Sequence, residues 1–213
     1  MYAMLGTRPD IAYAVSKCSR YMARPNDSCI RAVKRIFKYL RTTIDYELVY
    51  RGETLTLRGF TDASWGDDKE TRRSTSGWIF NLGSGAVSWS SKRQATVSLS
   101  SCHAELSGQT QATREAVWLR KLLAELNASQ DDLPTIIYGD NQGAIALAHN
   151  PEFHAKSKHI EIQDFWCREK QRSGEVDFKY VSTKDQIADG LTKALPKPQF
   201  ESFRKALGLE WRG

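Results

Sequence analysis

Apolar periodicity switches along this chain from strand-like alternation to a helical stripe, and the order of the switches limits the folds open to it. Residues 46–50 and 54–62 read as strands, followed by a polar loop over 66–76. Residues 77–82 and 86–91 read as two more strands joined around Gly83-Ser84-Gly85, a hairpin signal. The longest helical pattern covers residues 100–126. A short apolar strand over 134–138 and helices over 142–148 and 158–172 come next. A strand over 176–181, a helix over 184–193 and a last helix over 201–207 complete the pattern. Antiparallel strands followed by strands alternating with helices specify an α/β fold, a mixed sheet with helices packed on it.

Upstream, residues 8–23 and 28–41 read as two helices. Ile11, Ala14, Val15, Cys18 and Met22 recur at helical spacing in the first, and Ala32, Val33, Ile36, Phe37 and Leu40 in the second. Pro25, Asn26 and Asp27 break the chain between them. A helical hairpin of this size buries little by itself and needs another surface. Arg31, Lys34, Arg35, Lys38 and Arg41 fill its remaining positions. Residues 1–50 hold nine Lys/Arg against four Asp/Glu, whereas the remainder holds 22 against 21, so nearly all of the net charge of +6 belongs to this arm. Such an arm either meets phosphates or presents a solvated helix face.

Composition excludes several classes. Hydrophobic content of 40% with 26% charged residues is incompatible with wholesale disorder. No window approaches the roughly 18 uncharged apolar residues of a membrane-spanning helix. Arg8, Pro9 and Asp10 interrupt the first stretch in a way a secretory signal does not tolerate. Cys18, Cys29, Cys102 and Cys167 lie far apart without a C-x-x-C pair, which points to a reduced, intracellular protein and away from structural zinc.

The informative residues are acids that break their local pattern. Ala112, Ala116, Leu119, Leu123 and Leu126 define the buried face of the long helix, and that stripe extends backward to Gly108 and Glu105. A carboxylate aimed at a core needs a cation or a raised pKa. Asp62 would close a strand on the face of Phe60, and Asp140 another on the face of Ile136 and Tyr138, with a helix following at once. The carboxyl end of a strand beside a helix start is where α/β sheets place their chemistry. Asp189 lies on a late helix, between Ile187 and Leu191. Singly, each acid has an ordinary reading as turn residue, cap or macrodipole partner. Jointly they suggest a cluster, which like-charge repulsion makes sensible mainly around divalent cations. An all-oxygen set matches Mg²⁺ or Mn²⁺. A lysine or arginine seated among the acids would be the competing way to neutralise them.

These residues resemble the ribonuclease H domain of copia-type LTR retrotransposon polyproteins. The likeness runs through Thr61-Asp62-Ala63-Ser64-Trp65, Arg72-Arg73-Ser74-Thr75-Ser76-Gly77, Val87-Ser88-Trp89-Ser90-Ser91-Lys92 and Gln94. It continues through Leu99-Ser100-Ser101, Ala104-Glu105, Asp140-Asn141-Gln142-Gly143-Ala144-Ile145, Lys156 and Lys158-His159-Ile160, and ends on Gln186-Ile187-Ala188-Asp189-Gly190-Leu191-Thr192-Lys193. The segments Leu5-Gly6-Thr7-Arg8-Pro9-Asp10-Ile11 and Ala32-Val33-Lys34-Arg35-Ile36 resemble the connection between the reverse transcriptase and that domain. The resemblance implies a ribonuclease H-like fold, a five-stranded mixed sheet flanked by helices, with an N-terminal helical hairpin. It divides the chain into a connection segment (1–45), the nuclease domain (46–195) and a C-terminal helical tail (196–213).

It further implies that Asp62, Glu105, Asp140 and Asp189 are metal-binding catalytic acids. They would hold two Mg²⁺ ions, or Mn²⁺ in substitution, roughly 4 Å apart across a scissile phosphate. The implied partners are an RNA/DNA hybrid, touched by Ser64, Ser101, Asn141 and Gln142, and the reverse transcriptase portion of the same polyprotein. The last three of those residues equally suit helix capping. The implied setting is intracellular, a cytoplasmic virus-like particle or the nucleus, with no membrane. The stretch Val181-Ser182-Thr183-Lys184-Asp185 lacks the histidine that cellular ribonucleases H carry before the last aspartate. His103 and Cys29 also depart from the family pattern.

Two other readings compete. One is a catalytically silent, nucleic-acid-binding remnant. The other is an integrase-like recombinase on the same fold, against which the order of the acids weighs, since glutamate comes second and not last. A zinc deaminase reading of His103-Ala104-Glu105 fails because no P-C-x-x-C follows. His149, His154 and His159 lack cysteine partners and read as surface or hydrogen-bonding residues. Trp65, Trp78, Trp89 and Trp118 are expected in core packing.

Overall fold

The computed structural model describes residues 1–52, 55–130, 132–149 and 158–212, with the backbone alone over 158–164. Its elements in order are α1 (Tyr2–Gly6), a 3₁₀ turn (Pro9–Ile11), α2 (Ala12–Ser19), α3 (Asp27–Thr42), β1 (Tyr46–Leu48), β2 (Leu57–Ser64), β3 (Thr75–Leu82) and β4 (Gly85–Arg93). They continue with α4 (Ser101–Glu125), β5 (Thr135–Gly139), α5 (Gln142–His149), α6 (Lys158–Arg172), β6 (Val176–Tyr180), a second 3₁₀ turn (Ile187–Leu191), α7 (Lys197–Ala206) and β7 (Leu209–Trp211).

The main sheet has five strands in the order β4-β3-β2-β5-β6. β2, β3 and β4 pair antiparallel, while β5 joins β2, and β6 joins β5, in parallel. Two-residue turn chemistry fits the β3–β4 hairpin, where Gly83 takes φ +62. β1 and β7 form a separate two-stranded ribbon.

Period-two alternation splits β3 between the two faces of the sheet. Trp78 and Phe80 pack with Ala112, Ala116, Leu119 and Leu123 of α4, together with Ile137, Cys167 and Phe178. Ile79 faces the other way, into a second layer of Met4, Ile11, Ala12, Ala188, Leu191, Phe203, Leu207 and Leu209. Both ends of the chain therefore build one side of the core.

The N-terminal helices are pinned by a buried polar knot. Arg8 forms a bidentate pair with Asp10, at 3.0 and 2.8 Å, and also reaches the Thr43 carbonyl and hydroxyl at the end of α3. Tyr39 donates to the same aspartate at 2.6 Å. Asn26 caps α3 by accepting from the Cys29 N–H. The four cysteines are thiols and form no disulfide, and among the described residues no helix is long and apolar enough to cross a membrane.

Several local expectations need correction. The helix expected over 8–23 is a 3₁₀ turn followed by a shorter helix ending at Ser19, with α1 unforeseen before it. The helix expected over 184–193 is a 3₁₀ turn only, because Gln186 accepts from the Ala188 N–H and Gly190 abuts the ring of Phe203. β2 continues to Ser64, so Asp62 lies inside the strand and does not end it. Trp65 and Trp118 are 56% and 54% exposed, against the expected core roles.

Gly77 sets how closely the second 3₁₀ turn approaches the sheet. A Cβ there would lie 2.7 Å from Leu191 Cβ and 2.8 Å from Thr192 Cγ2. Gly77→Ala is expected to cost about 1–3 kcal/mol of stability by urea unfolding, through overpacking. An unchanged midpoint would mean that the turn is not held against β3.

Candidate metal centre

Strand register brings the first two acids together. Phe60 of β2 pairs with Tyr138 of β5 in parallel, and their rings stack at 4.9 Å. Asp62 and Asp140 each come two residues later, so the same face of the sheet carries both past that aromatic pair. Asp140 directly follows the last residue of β5, and α5 begins at Gln142.

The third acid arrives on the second 3₁₀ turn. Gln186 donates its amide to the Thr61 carbonyl at 3.0 Å, which ties the start of that turn to β2 one residue before Asp62. Gly77, the cross-strand partner of Asp62, leaves room for Leu191 and Thr192. One carboxylate oxygen from each of Asp62, Asp140 and Asp189 consequently lies within 4.8 Å of the others.

Glu105 stands outside that set of three. It is buried near the start of α4, as the apolar stripe foretold, and its Oε1 accepts from the Ala63 N–H at 3.1 Å. Gly108, one turn on, allows α4 to settle against Thr61 and Asp62. Gln94 braces the same turn: its amide donates to Ser76 Oγ at 2.8 Å and to the Ala104 carbonyl at 2.9 Å.

The electrostatics are those of crowded carboxylates. Burial, then the charges of Asp62 and Asp140, push the Glu105 carboxyl up to about 9. Burial and the neighbouring acids push Asp189 up to about 6, against the opposing influence of Lys193. Asp62 also rises, chiefly through burial, although Thr192 donates a hydrogen bond to its Oδ2. Thr183 donates to Asp140 at 2.9 Å. Lys193 lies 2.8 Å from Asp189 Oδ1, so the competing form of neutralisation is present at one acid. The set of hard oxygen donors, without Cys or His, fits Mg²⁺ or Mn²⁺. Thr183, Thr192 and Lys193 escape sequence reasoning as site residues, since their reach depends on how the late turn folds back.

Ser64 is the last residue of β2, and Ser101 is the exposed first residue of α4, whose cap is Ser100. Asn141 caps α5, accepting from the Ala144 N–H at 2.9 Å, and Gln142 is exposed beside it. His149 hydrogen-bonds with the Phe178 carbonyl. His154 and Lys156 lie outside the described residues, as do the side chains of Lys158, His159 and Ile160.

No family profile matches the chain. The retrovirus-related Pol polyprotein from transposon TNT 1-94 of Nicotiana tabacum is 39% identical over 209 residues, 98% of this chain and 16% of that protein. The corresponding polyprotein from transposon RE2 of Arabidopsis thaliana is 41% identical over 204 residues, 95% of this chain and 14% of its own length. The chain thus spans about a seventh to a sixth of the length of these two polyproteins. Among solved structures, LC11-RNase H1, isolated from compost by a metagenomic approach, superposes with a TM-score of 0.50 at 13% identity. That match covers 65% of this chain and 93% of the other, and it speaks for the fold alone.

Without metal, the folded protein keeps a proton on Glu105 that the unfolded chain has lost above the ordinary glutamate range. Stability should therefore fall as pH rises from about 4.5 to about 9, and level off above that. In EDTA, Glu105→Gln is expected to flatten this slope and to raise the melting temperature at pH 8 above that of the parent. A parent slope of zero or of opposite sign would contradict the burial of an uncompensated carboxyl.

Proposed function

The chain belongs to the copia-type retrotransposon Pol polyproteins, as their ribonuclease H-like domain, and we propose that it hydrolyses the RNA strand of RNA/DNA hybrids during reverse transcription. The observation that carries this reading is the convergence of Asp62 within β2, Asp140 just past β5 and Asp189 on the second 3₁₀ turn to within 4.8 Å of one another. Asp62, Asp140 and Asp189 would hold divalent ions there, which would supply an activated water and charge stabilisation at the leaving 3′ oxygen, giving 5′-phosphate and 3′-hydroxyl products.

The chain's own groups do the rest. Asp62, Asp140 and Asp189 provide the oxygen ligands, and Glu105 completes the set from α4. Thr192 and Thr183 hold Asp62 and Asp140 through hydroxyl hydrogen bonds. Ser64, Ser101, Asn141 and Gln142 adjoin the acids and are assigned to the hybrid. Reading a hybrid depends on RNA 2′-hydroxyls in the minor groove together with the DNA backbone. The reverse transcriptase portion of the same polyprotein is the proposed protein partner, and an intracellular particle or the nucleus the proposed setting.

α3 suits the phosphate backbone of such a substrate. Arg31, Lys34, Arg35, Lys38 and Arg41 are all exposed. At 100° per residue they fall on one side of the helix, away from Ile36, Tyr39 and Leu40, which pack on the core. The competing reading, a silent nucleic-acid-binding remnant, draws on the ion pair between Lys193 and Asp189.

Two measurements test the nuclease reading and the role of α3. Purified chain with Mg²⁺ is expected to cut a labelled RNA/DNA hybrid, and Asp140→Asn to slow cutting by about a thousandfold or more with an unchanged circular dichroism spectrum. Tight binding without cutting by the parent would favour the silent remnant. Substituting Lys34, Arg35 and Lys38 by Gln is expected to reduce the slope of log affinity against log salt by about 2–3, read by anisotropy in EDTA. An unchanged slope would make α3 a solvated face.

A further inference from the structure

Lys193 follows Asp189 by one helical turn, and its ammonium lies 2.8 Å from Asp189 Oδ1. The contact is an ion pair. The lysine side chain is 44% exposed while that of Asp189 is 12% exposed, so the cation approaches from the wet rim of the cluster. The preceding residue, Thr192, is fully buried and donates to Asp62. Two consecutive residues thus place a hydroxyl on one acid and an ammonium on another. The charge of Lys193 is felt beyond its contact: it favours the ionised forms of Asp62 and Glu105 as well as Asp189.

Crowded carboxylates need a counter-charge whether or not a divalent ion is bound. We propose that Lys193 is the resident counter-ion of this centre, holding Asp189 in the metal-free protein and yielding that carboxylate when a divalent ion enters. The inference rests on the reading of the acids as a metal site. Lysine suits the role because its compact charge sits on a flexible four-carbon stem, whereas an arginine fork would hold a carboxylate bidentately and release it less readily. The exposed stem can swing into solvent without leaving a cavity. A divalent ion carries twice the charge and engages several oxygens at once, so it wins the carboxylate at sufficient concentration.

Two consequences of opposite direction follow from one side chain. The lysine stabilises the metal-free fold by offsetting repulsion, and it weakens metal binding by competing for Asp189. A lysine with a merely structural role would have no such opposition, since its loss would weaken both.

The test uses the whole chain without nucleic acid. Mn²⁺ binding is measured by titration calorimetry, and melting is followed in EDTA and in excess Mn²⁺, for the parent, Lys193→Met, Lys193→Gln and Lys193→Arg. Lys193→Met and Lys193→Gln are expected to bind Mn²⁺ about tenfold more tightly than the parent, because a like charge has left the site. Both should melt at a lower temperature in EDTA, with the difference erased by excess Mn²⁺. Lys193→Arg should keep the stability in EDTA and bind Mn²⁺ no more tightly than the parent. A neutral variant that folds only with Mn²⁺ would support the counter-ion role in its strongest form. Equal or weaker Mn²⁺ binding by both neutral variants, or failure of both to fold even with Mn²⁺, would overturn it. A parent that takes up no Mn²⁺ would remove the metal site itself, a separate failure visible before any variant is compared.

Discussion

Mutual repulsion among buried carboxylates is the constraint around which this fold is arranged. Asp62 and Asp140 are carried side by side by a parallel register that also stacks Phe60 on Tyr138. Asp189 is brought to them by a turn that Gln186 ties to β2 and that Gly77 admits to close range. Nothing in that geometry is electrostatically comfortable without a cation: burial first, and the neighbouring carboxylates after it, push Glu105 and Asp189 upward. The apolar layers on both faces of the sheet supply the stability that holds these charges together.

Those layers also explain why residues far from the acids matter to them. Tyr39 of α3 meets Phe200 edge-on at 5.7 Å, Phe200 lies 6.1 Å from Phe203, and Phe203 abuts Gly190 beside Asp189. Met4, Ile11 and Ala12 fill the same layer from the N-terminal side. The basic helical arm and the C-terminal helix therefore support the turn that delivers one acid. A second charged knot keeps the loop after β2 in place. Although burial opposes it, Arg93 and the N–H groups of Thr71 and Glu70 hold the Asp68 carboxyl well below the usual carboxylate range. Lys17 and Arg20 of the arm pair with the adjoining Asp67.

Much of this was legible in local pattern. The stripe from Leu123 back to Glu105 follows one helical face, so a buried glutamate could be read from spacing alone, although Leu126, expected on that face, lies past the end of α4 and is exposed. Asp140 stands where an apolar run meets a helix start, and a mixed sheet with helices packed on it follows from the order of periodicities, the count of five strands coming from the family resemblance. What local pattern missed depends on distant partners. Asp62 and Ser64 are polar residues within a strand, and only pairing of Ser64 with Thr75 reveals that β2 continues. Leu209–Trp211 is three residues long and becomes a strand because Tyr46–Leu48 is beside it. The Ile187–Leu191 turn looks helical by spacing, yet packing of Gly190 on Phe203 and a side-chain cap keep it short. The contacts of Thr192 and Lys193 to the acids exist only once that turn has folded onto β2.

The account stands on the claim that these carboxylates are gathered to hold divalent ions. Anomalous diffraction from a crystal equilibrated with saturating Mn²⁺ addresses it most directly. The account predicts a manganese peak among Asp62, Asp140 and Asp189, at about 2.2 Å from carboxylate oxygens, with the Lys193 ammonium drawn away from Asp189. An empty cluster with Lys193 still against Asp189 would contradict it.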